Sequence, residues 1–200
     1  MLGVKGASGL MENTAGLSNV TVLYLEKYEK ILQKMMHEMC DVKITYSISD
    51  NFIQQMLPHQ LAAIKMSENI LTLTTNIGVQ NLALRIVKEQ KELIEKLKAQ
   101  QHSCTFFQNS PIEVYDYMYG FVEIAEALFH EMCAIPISNS VNANYLQGMI
   151  IHSIGGLQLA HNLLRFYFCQ QLIPIIQDYI QAEYERIDQM YKLLDGLRDC

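Results

Sequence analysis

Two identical blocks of four residues, His-Glu-Met-Cys, contain the first side chains in this sequence whose types and spacing could do chemistry. They run from His37 to Cys40 and from His130 to Cys133. On a helix, each block places an imidazole and a thiol on one side, about one turn apart. If the fold brought the two blocks together, they would supply the four nitrogen and sulfur ligands of a zinc site.

The same histidines also fit a structural role at the end of a helix. An apolar stripe ends at Met39, and His37 falls on the opposite side, in the last turn, where the helix dipole favours a cation. Structural zinc sites usually use closely spaced pairs of cysteines rather than two His and Cys pairs that lie far apart in the sequence. We therefore expect both blocks to lie at the rim of the fold. Cys104, Cys169 and Cys200 have no suitable neighbours in the sequence.

The two blocks lie 93 positions apart, and the same shift aligns most of the chain with itself. At this shift, residues 20–99 match residues 113–192 at sixteen positions without a gap. A repeat this long indicates two copies of one unit rather than a solenoid of short repeats. We expect a flexible tail over residues 1–19, repeat 1 over 20–101, a linker over 102–112 and repeat 2 over 113–200, with the repeats packed as one domain.

The same offset pairs a second set of candidate ligands, Met56 and His59 with Met149 and His152. In both copies a thioether precedes an imidazole by about one helical turn, and this pair suits a soft or borderline metal such as copper. Buried imidazoles can equally donate to a backbone carbonyl or to the matching histidine of the other repeat, which is how buried polar groups are normally satisfied. The residues alone leave both possibilities open.

Six helices, three in each repeat, must position these residues. Apolar side chains recur every three or four positions, the spacing of one helical face, and no alternating strand pattern occurs. The first helix of each repeat ends at its His-Glu-Met-Cys block. The predicted helices span residues 20–40, 50–73 and 79–101 in repeat 1, and in repeat 2 a stretch ending at the second block, 142–168 and 173–197.

This order of elements predicts an all-α fold. The second and third helices of each repeat form a hairpin, and two such hairpins give a four-helix core with pseudo-twofold symmetry, flanked by the first helices. Pro58 lies inside the second helix, where it removes a backbone hydrogen bond and should kink the helix. Pro174 suits the first turn of the last helix.

Composition excludes several classes of function. A net charge of -6 without a basic stretch longer than two residues gives no electrostatic footprint for nucleic acid or an anionic membrane. No run of 18 apolar residues is present, so we expect no membrane span. The first residues lack the apolar core of a secretory signal, and five cysteines without framework spacing then predict reduced thiols in the cytoplasm.

Motifs typical of enzymes do not fit the chain. Di-iron carboxylate bundles need Glu-x-x-His on two helices, and neither repeat contains that spacing. The Gly-x-Ser-x-Gly motif of a nucleophilic serine does not occur either. We therefore expect a protein that is not an enzyme.

Residues 52–66 resemble the signature of the ferritin-like domain-of-unknown-function family 305, which reads Met-[Ile/Leu]-Pro-His-His-x-x-Ala-Ile-x-Met. Residues 50–101 follow the length and pattern of that family, and residues 143–194 follow them more loosely. Some relatives bind copper through the Met and His of this motif. The resemblance implies a ferritin-like bundle with metal ligands at Met56, His59 and Met66.

The chain departs from the family pattern at several ligand positions. Gln60 and Ser153 stand where the family has its second histidine, and Leu159 stands in repeat 2 where the motif ends in Met. The glutamate of the family's third helix is Leu93 in repeat 1 and Arg186 in repeat 2. Half of the imidazole ligands are therefore missing from each repeat.

Two main hypotheses for the function follow from these observations, beside a weaker third, a redox or metal enzyme. The first is a non-enzymatic ferritin-like bundle with a structural or interaction role, as a homodimer or with a protein partner, descended from metal-binding relatives. The alternative is a protein that binds or sequesters a soft metal, copper, in the bundle core. Its ligands would be Met56, His59, Met66, Met149 and His152, with the less favoured set His37, Cys40, His130 and Cys133.

Overall fold

The computed structural model describes residues 15–197 as a helical bundle, and within this range no strand occurs. The prediction of an all-α fold with six helices is confirmed. Residues 1–14 of the predicted tail, and Cys200, lie outside the described part of the chain. The helices are α1 (Asn19–Cys40), α2 (Ile48–Leu71), α3 (Ile77–Cys104), α4 (Pro111–Cys133), α5 (Val141–Leu163) and α6 (Ile173–Gly196), with a short 3-10 turn at Gln170–Leu172 before α6.

Five of these helices begin at a side-chain cap. A serine or asparagine oxygen accepts a hydrogen bond from a backbone N–H of the first turn, which satisfies a donor that the helix itself cannot pair. The capping residues are Ser18, Ser47, Asn76, Ser110 and Ser140. In α6 Pro174 occupies the first turn, as predicted, and no side chain caps the helix.

Two helix ends differ from the sequence prediction by three or more residues. Helix α5 ends at Leu163 rather than near residue 168, because the chain turns back there, with the Phe166 N–H donating to the Leu163 carbonyl. Helix α3 runs on to Cys104, whose carbonyl accepts a hydrogen bond from Ser47 Oγ at 2.7 Å. Only residues 105–110 then connect α3 to α4.

Helices α2 and α5 pack against each other at the centre of the molecule. Helix α3 packs on α2, α6 packs on α5, and α3 also contacts α6, so that these four helices surround a common interior. Helices α1 and α4 pack on α2 and α5 from outside. Buried apolar side chains from all six helices form one continuous core. No helix within residues 15–197 is long and apolar enough to cross a bilayer.

Several hydrogen bonds recur at positions 93 residues apart. Asn69 Nδ2 donates to the Tyr24 carbonyl at 3.1 Å, and Asn162 Nδ2 donates to the Tyr117 carbonyl at 3.0 Å. The first bond ties the end of α2 to α1, and the second ties the end of α5 to α4. A second matched set comprises Asn51 Nδ2 with the Thr45 carbonyl at 2.9 Å and Asn144 Nδ2 with the Ser138 carbonyl at 2.8 Å.

Cys104 and Cys169 form a disulfide that joins the end of α3 to the segment before α6. Their Cα atoms lie 5.5 Å apart, a usual separation for this bond, and both residues are buried. The expectations of reduced thiols and of no suitable neighbours are therefore wrong for these two cysteines. They stand 65 residues apart in sequence, and only the packing of the helices brings them together. The prediction of a cytoplasmic location accordingly loses its argument from cysteine.

Candidate metal centre

The two matched histidines meet in the middle of the bundle. His59 lies on α2 and His152 on α5, and their rings stack with centroids 3.8 Å apart and planes 16° from parallel. Their exposed fractions are 0% and 2%. The close packing of α2 on α5 brings together the residues that the offset of 93 had paired.

All four ring nitrogens of this histidine pair are buried without a hydrogen-bond partner. Buried polar atoms in native proteins are normally paired, and an unpaired donor or acceptor costs about 1–3 kcal/mol. No nitrogen of either ring therefore meets hydrogen-bond geometry with a carbonyl or with the matching histidine, although the His152 backbone lies close enough to His59 to raise its pKa in part. Both rings therefore keep nitrogens that could bind a ligand.

Both imidazoles are neutral at pH 7. Burial lowers the pKa of His59 from 6.5 to about 4, and the backbone of His152 opposes this shift only in part. Burial also lowers the pKa of His152 well below its ordinary value. The charges of His59 and Arg186 lower it further. A neutral imidazole keeps one lone pair free, which is the form that binds a metal ion.

This burial predicts a loss of stability in acid. An unfolded histidine takes up a proton near pH 6.5, whereas folded His59 stays neutral down to about pH 4. Between these values the unfolded chain binds more protons, so the free energy of unfolding falls as the pH falls, by roughly 3 kcal/mol at pH 4 from His59 alone.

Urea denaturation at a series of pH values measures this effect. Because carboxylates also titrate in this range, the wild type is compared with a His59→Leu/His152→Leu variant. The variant should lose less stability between pH 6.5 and 4. Equal pH dependence in the two proteins would show that the histidines are not buried as neutral groups.

Tyr179 and Gly156 complete one side of the histidine pair. A Cβ added at Gly156 would collide with the Tyr179 hydroxyl and lie 3.0 Å from His59 Cε1, so the phenol occupies space that only glycine leaves open. Burial raises the pKa of Tyr179 well above its ordinary value, and the phenol is therefore neutral. The Gln60 amide lies close enough to the Tyr179 hydroxyl to lower its pKa in part. The two groups do not meet the geometry of a hydrogen bond.

A buried charged network lies between α3 and α6. Gln90 Nε2 donates to Glu183 Oε1 at 3.1 Å, and these two residues are counterparts at the offset of 93. Arg186 pairs with Glu183 on its own helix and with Glu89 on α3, the latter at 2.7 Å. Glu183 and Arg186 are each 2% exposed. The interior of repeat 2 therefore holds a salt bridge where repeat 1 has Gln90 and Leu93.

Removing one partner of this salt bridge should be costly. Arg186→Leu leaves the Glu183 carboxylate buried without its cation, and we expect a loss of about 3–5 kcal/mol in the free energy of unfolding. The double substitution Glu183→Gln/Arg186→Leu copies the residues of repeat 1 and removes both charges. Chemical denaturation should show most of the stability restored. A double variant as unstable as the single one would mean that the residues contribute mainly through packing.

The remaining predicted ligands lie in two environments. Met56, Met66 and Met149 are buried in the core, two of them one turn before the stacked histidines. In contrast, the His-Glu-Met-Cys blocks end α1 and α4 at the rim, where His37, Cys40 and His130 are exposed and Cys133 is half-buried.

The structure does not assemble these blocks into a zinc site. Within residues 15–197, no group of three or more His, Cys, Asp and Glu side chains is placed to hold one ion. Burial, followed by Glu126, raises the pKa of the Cys40 thiol. The pKa of Cys133 is raised by burial and then by Glu29. These thiols are therefore protonated at neutral pH and are poor ligands.

Tyr179 is the main residue of this centre that the sequence analysis did not identify. In the alignment of the repeats it stands opposite Ile86, while Gly156 stands opposite Ala63. The larger side chain of Tyr179 compensates for the missing side chain of Gly156. This pair of changes was the available signal, but the two residues lie on different helices and only the structure shows that they touch.

Residues 29–103 match the family model described as a domain of unknown function (DUF305). The matched stretch includes α2 and nearly all of α3, and with them Met56 and His59. No curated protein and no solved structure matches the chain.

Proposed function

We propose that this chain is a diverged, duplicated relative of the ferritin-like DUF305 domains that binds one Cu(I) ion between its repeats and is not an enzyme. The observation that carries the proposal is the stacked pair His59 and His152, buried, neutral and with all four nitrogens unpaired. Imidazole lone pairs lie in the ring plane, so a metal ion would bind at the edges of the stacked rings rather than between their faces, where it would use nitrogens that have no partner in the protein.

The donor types select the metal. Two neutral imidazoles, with Met56 and Met149 one turn before them, make a set of nitrogen and thioether ligands without a carboxylate or thiolate. Soft sulfur ligands of this kind suit Cu(I), whereas structural zinc sites are completed by thiolate, imidazole or carboxylate. A single positive charge is also less costly to bury than a double one.

The proposed duplication gives a reason for a single shared site. Each repeat contributes one Met-x-x-His segment at matching positions, and α2 and α5 pack directly against each other. One repeat alone retains only half of the imidazoles that the family signature has. Both repeats together restore a pair, so we expect one ion per chain.

Burial favours storage or sequestration over turnover. The histidine rings expose at most 2% of their surface, so a substrate would have no direct approach to an ion bound at their edges. Entry of the ion itself requires a local opening of the bundle, and slow exchange suits a protein that holds a metal.

An interaction role is a second candidate, and one surface favours it. Ile112, Tyr115 and Tyr119 on α4 recur at helical spacing with exposed fractions of 69%, 69% and 59%. Exposed apolar stripes of this kind often mark protein contacts. Sedimentation of the wild type against a Tyr115→Lys/Tyr119→Lys variant tests for a homodimer. A wild type that stays monomeric at all concentrations would count against self-association.

Metal binding is tested directly by anaerobic titration. Untagged protein is titrated with Cu(I) against a chromophoric chelator, and in parallel with Zn(II), followed by elemental analysis. We expect one Cu(I) per chain and Zn(II) binding at least about 100-fold weaker, because the site offers only two zinc-type donors. Absence of Cu(I) binding, or equal binding of both ions, would overturn the proposal.

A further inference from the structure

A groove runs along the outer side of α2 around Pro58. Two neighbouring cavities of about 220 and 320 Å³ form it, one against α1 and the other against α3. Both are lined by Glu38, Pro58 and Leu61. Together they make one surface groove, here called the Pro58 groove, and it is separate from the buried histidine pair.

The part of the Pro58 groove next to α1 combines an apolar floor with a positive rim. Ile31, Met35 and Ala62 contribute to the floor. Around it stand three lysines, Lys30, Lys34 and Lys65. This cluster occurs in a chain whose net charge is -6.

The positive charges of the rim lysines are not fully neutralised by ion pairs. Lys34 lies 3.7 Å from Glu38 and Lys65 lies 2.8 Å from Glu68, with the lysine side chains 65% and 55% exposed and each glutamate side chain 41% exposed. Exposed pairs of this kind are weak and exchange readily. Within residues 15–197, Lys30 has no carboxylate at ion-pair distance. Positive charge therefore remains available to a ligand.

The second repeat shows that the fold does not require this rim. At the offset of 93, the positions of Lys30, Lys34 and Lys65 are occupied by Glu123, Ala127 and Gln158. Three positive charges are thus replaced by one negative charge, and Ile151 stands in place of Pro58. The lysine rim is a property of repeat 1 alone, which points to a ligand rather than to the stability of the bundle.

We propose that the Pro58 groove binds a single-chain anionic amphiphile, a medium-length fatty carboxylate. Its headgroup would pair with the lysines, whose flexible stems bring a compact charge to the edge of an apolar surface. Its tail would lie on the apolar floor. Pockets for small ligands span about 300–1,000 Å³, and the size of this groove suits one short chain rather than a two-chain lipid.

Calorimetric titration of the full chain with sodium decanoate, below its micelle concentration, tests this site. Two probes with the same tail serve as comparisons: 1-decanol, which is neutral, and decyltrimethylammonium, which is cationic. We expect decanoate to bind most tightly and the cation at least about tenfold more weakly, because the lysines attract the carboxylate and repel the ammonium headgroup. Equal affinity for the three probes would overturn the proposal.

Two sets of variants locate the binding. Lys30→Glu/Lys34→Glu should weaken decanoate binding at least about tenfold, while Lys88→Glu/Lys192→Glu, which changes the net charge equally at distant exposed sites, should leave it unchanged. Leu61→Asn should weaken decanoate and decanol together, with helicity checked by circular dichroism. Equal losses in both charge variants would show a general charge effect and would reject the groove.

Discussion

Replacing both stacked histidines with leucine, His59→Leu/His152→Leu, should abolish Cu(I) binding and make the metal-free protein more stable. The two effects have one cause. The imidazoles are buried with four unpaired nitrogens, so an apolar side chain of similar size removes a desolvation cost of about 1–3 kcal/mol at each unpaired group. The same change removes the only two imidazoles of the site, and affinity should fall more than about 100-fold.

Competition with a chromophoric Cu(I) chelator measures the affinity, and calorimetry of the metal-free protein measures the stability. His37→Leu/His130→Leu is the matched control, because these histidines are exposed at the ends of α1 and α4. The control should change neither quantity. A core double variant with wild-type Cu(I) affinity would place the metal elsewhere.

Gly156→Ala should destabilise the protein by about 2 kcal/mol or more. In an ordinary helix this change is favourable by up to about 1 kcal/mol. Here the added Cβ would meet the Tyr179 hydroxyl and lie 3.0 Å from His59 Cε1, and neither stiff ring can move away cheaply in a packed core. The Cu(I) affinity should fall as well, because the same methyl group displaces the His59 ring.

A second substitution separates this clash from a general intolerance of the helix. Gly156→Ala/Tyr179→Phe removes the hydroxyl and should recover most of the lost stability in chemical denaturation. Gly196→Ala is the control, because a Cβ there meets no atom within 4 Å. If Gly156→Ala alone is as stable as the wild type, the Tyr179 ring is not held against α5.

The sequence predicted the elements and the central pair because both depend on regular spacing. Apolar periodicity located the helices, and the offset of 93 paired His59 with His152, whose rings stack in the structure. The early end of α5 was missed because no glycine or proline marks it. Leu163 is followed by residues that fit a helix equally well.

Contacts between distant segments were not accessible in the same way. A tyrosine within an apolar stripe is typical of core, so nothing in α6 alone distinguished Tyr179. Glu183 and Arg186 are charged residues three apart, which usually indicates a solvated face, and their burial follows from the packing of α6 on α3. Such features depend on the relative placement of helices, which periodicity does not encode.

The Cys104–Cys169 disulfide keeps the two halves of the chain covalently joined even if the connection at residues 105–110 is cut. One half-cystine belongs to the end of α3 and the other to the segment before α6, so the bond joins the halves of the chain on either side of residues 105–110. A protease that cut this connection would produce two fragments that stay covalently attached. They would part only when the disulfide was reduced, so a nicked chain would still bring both histidines to the shared centre.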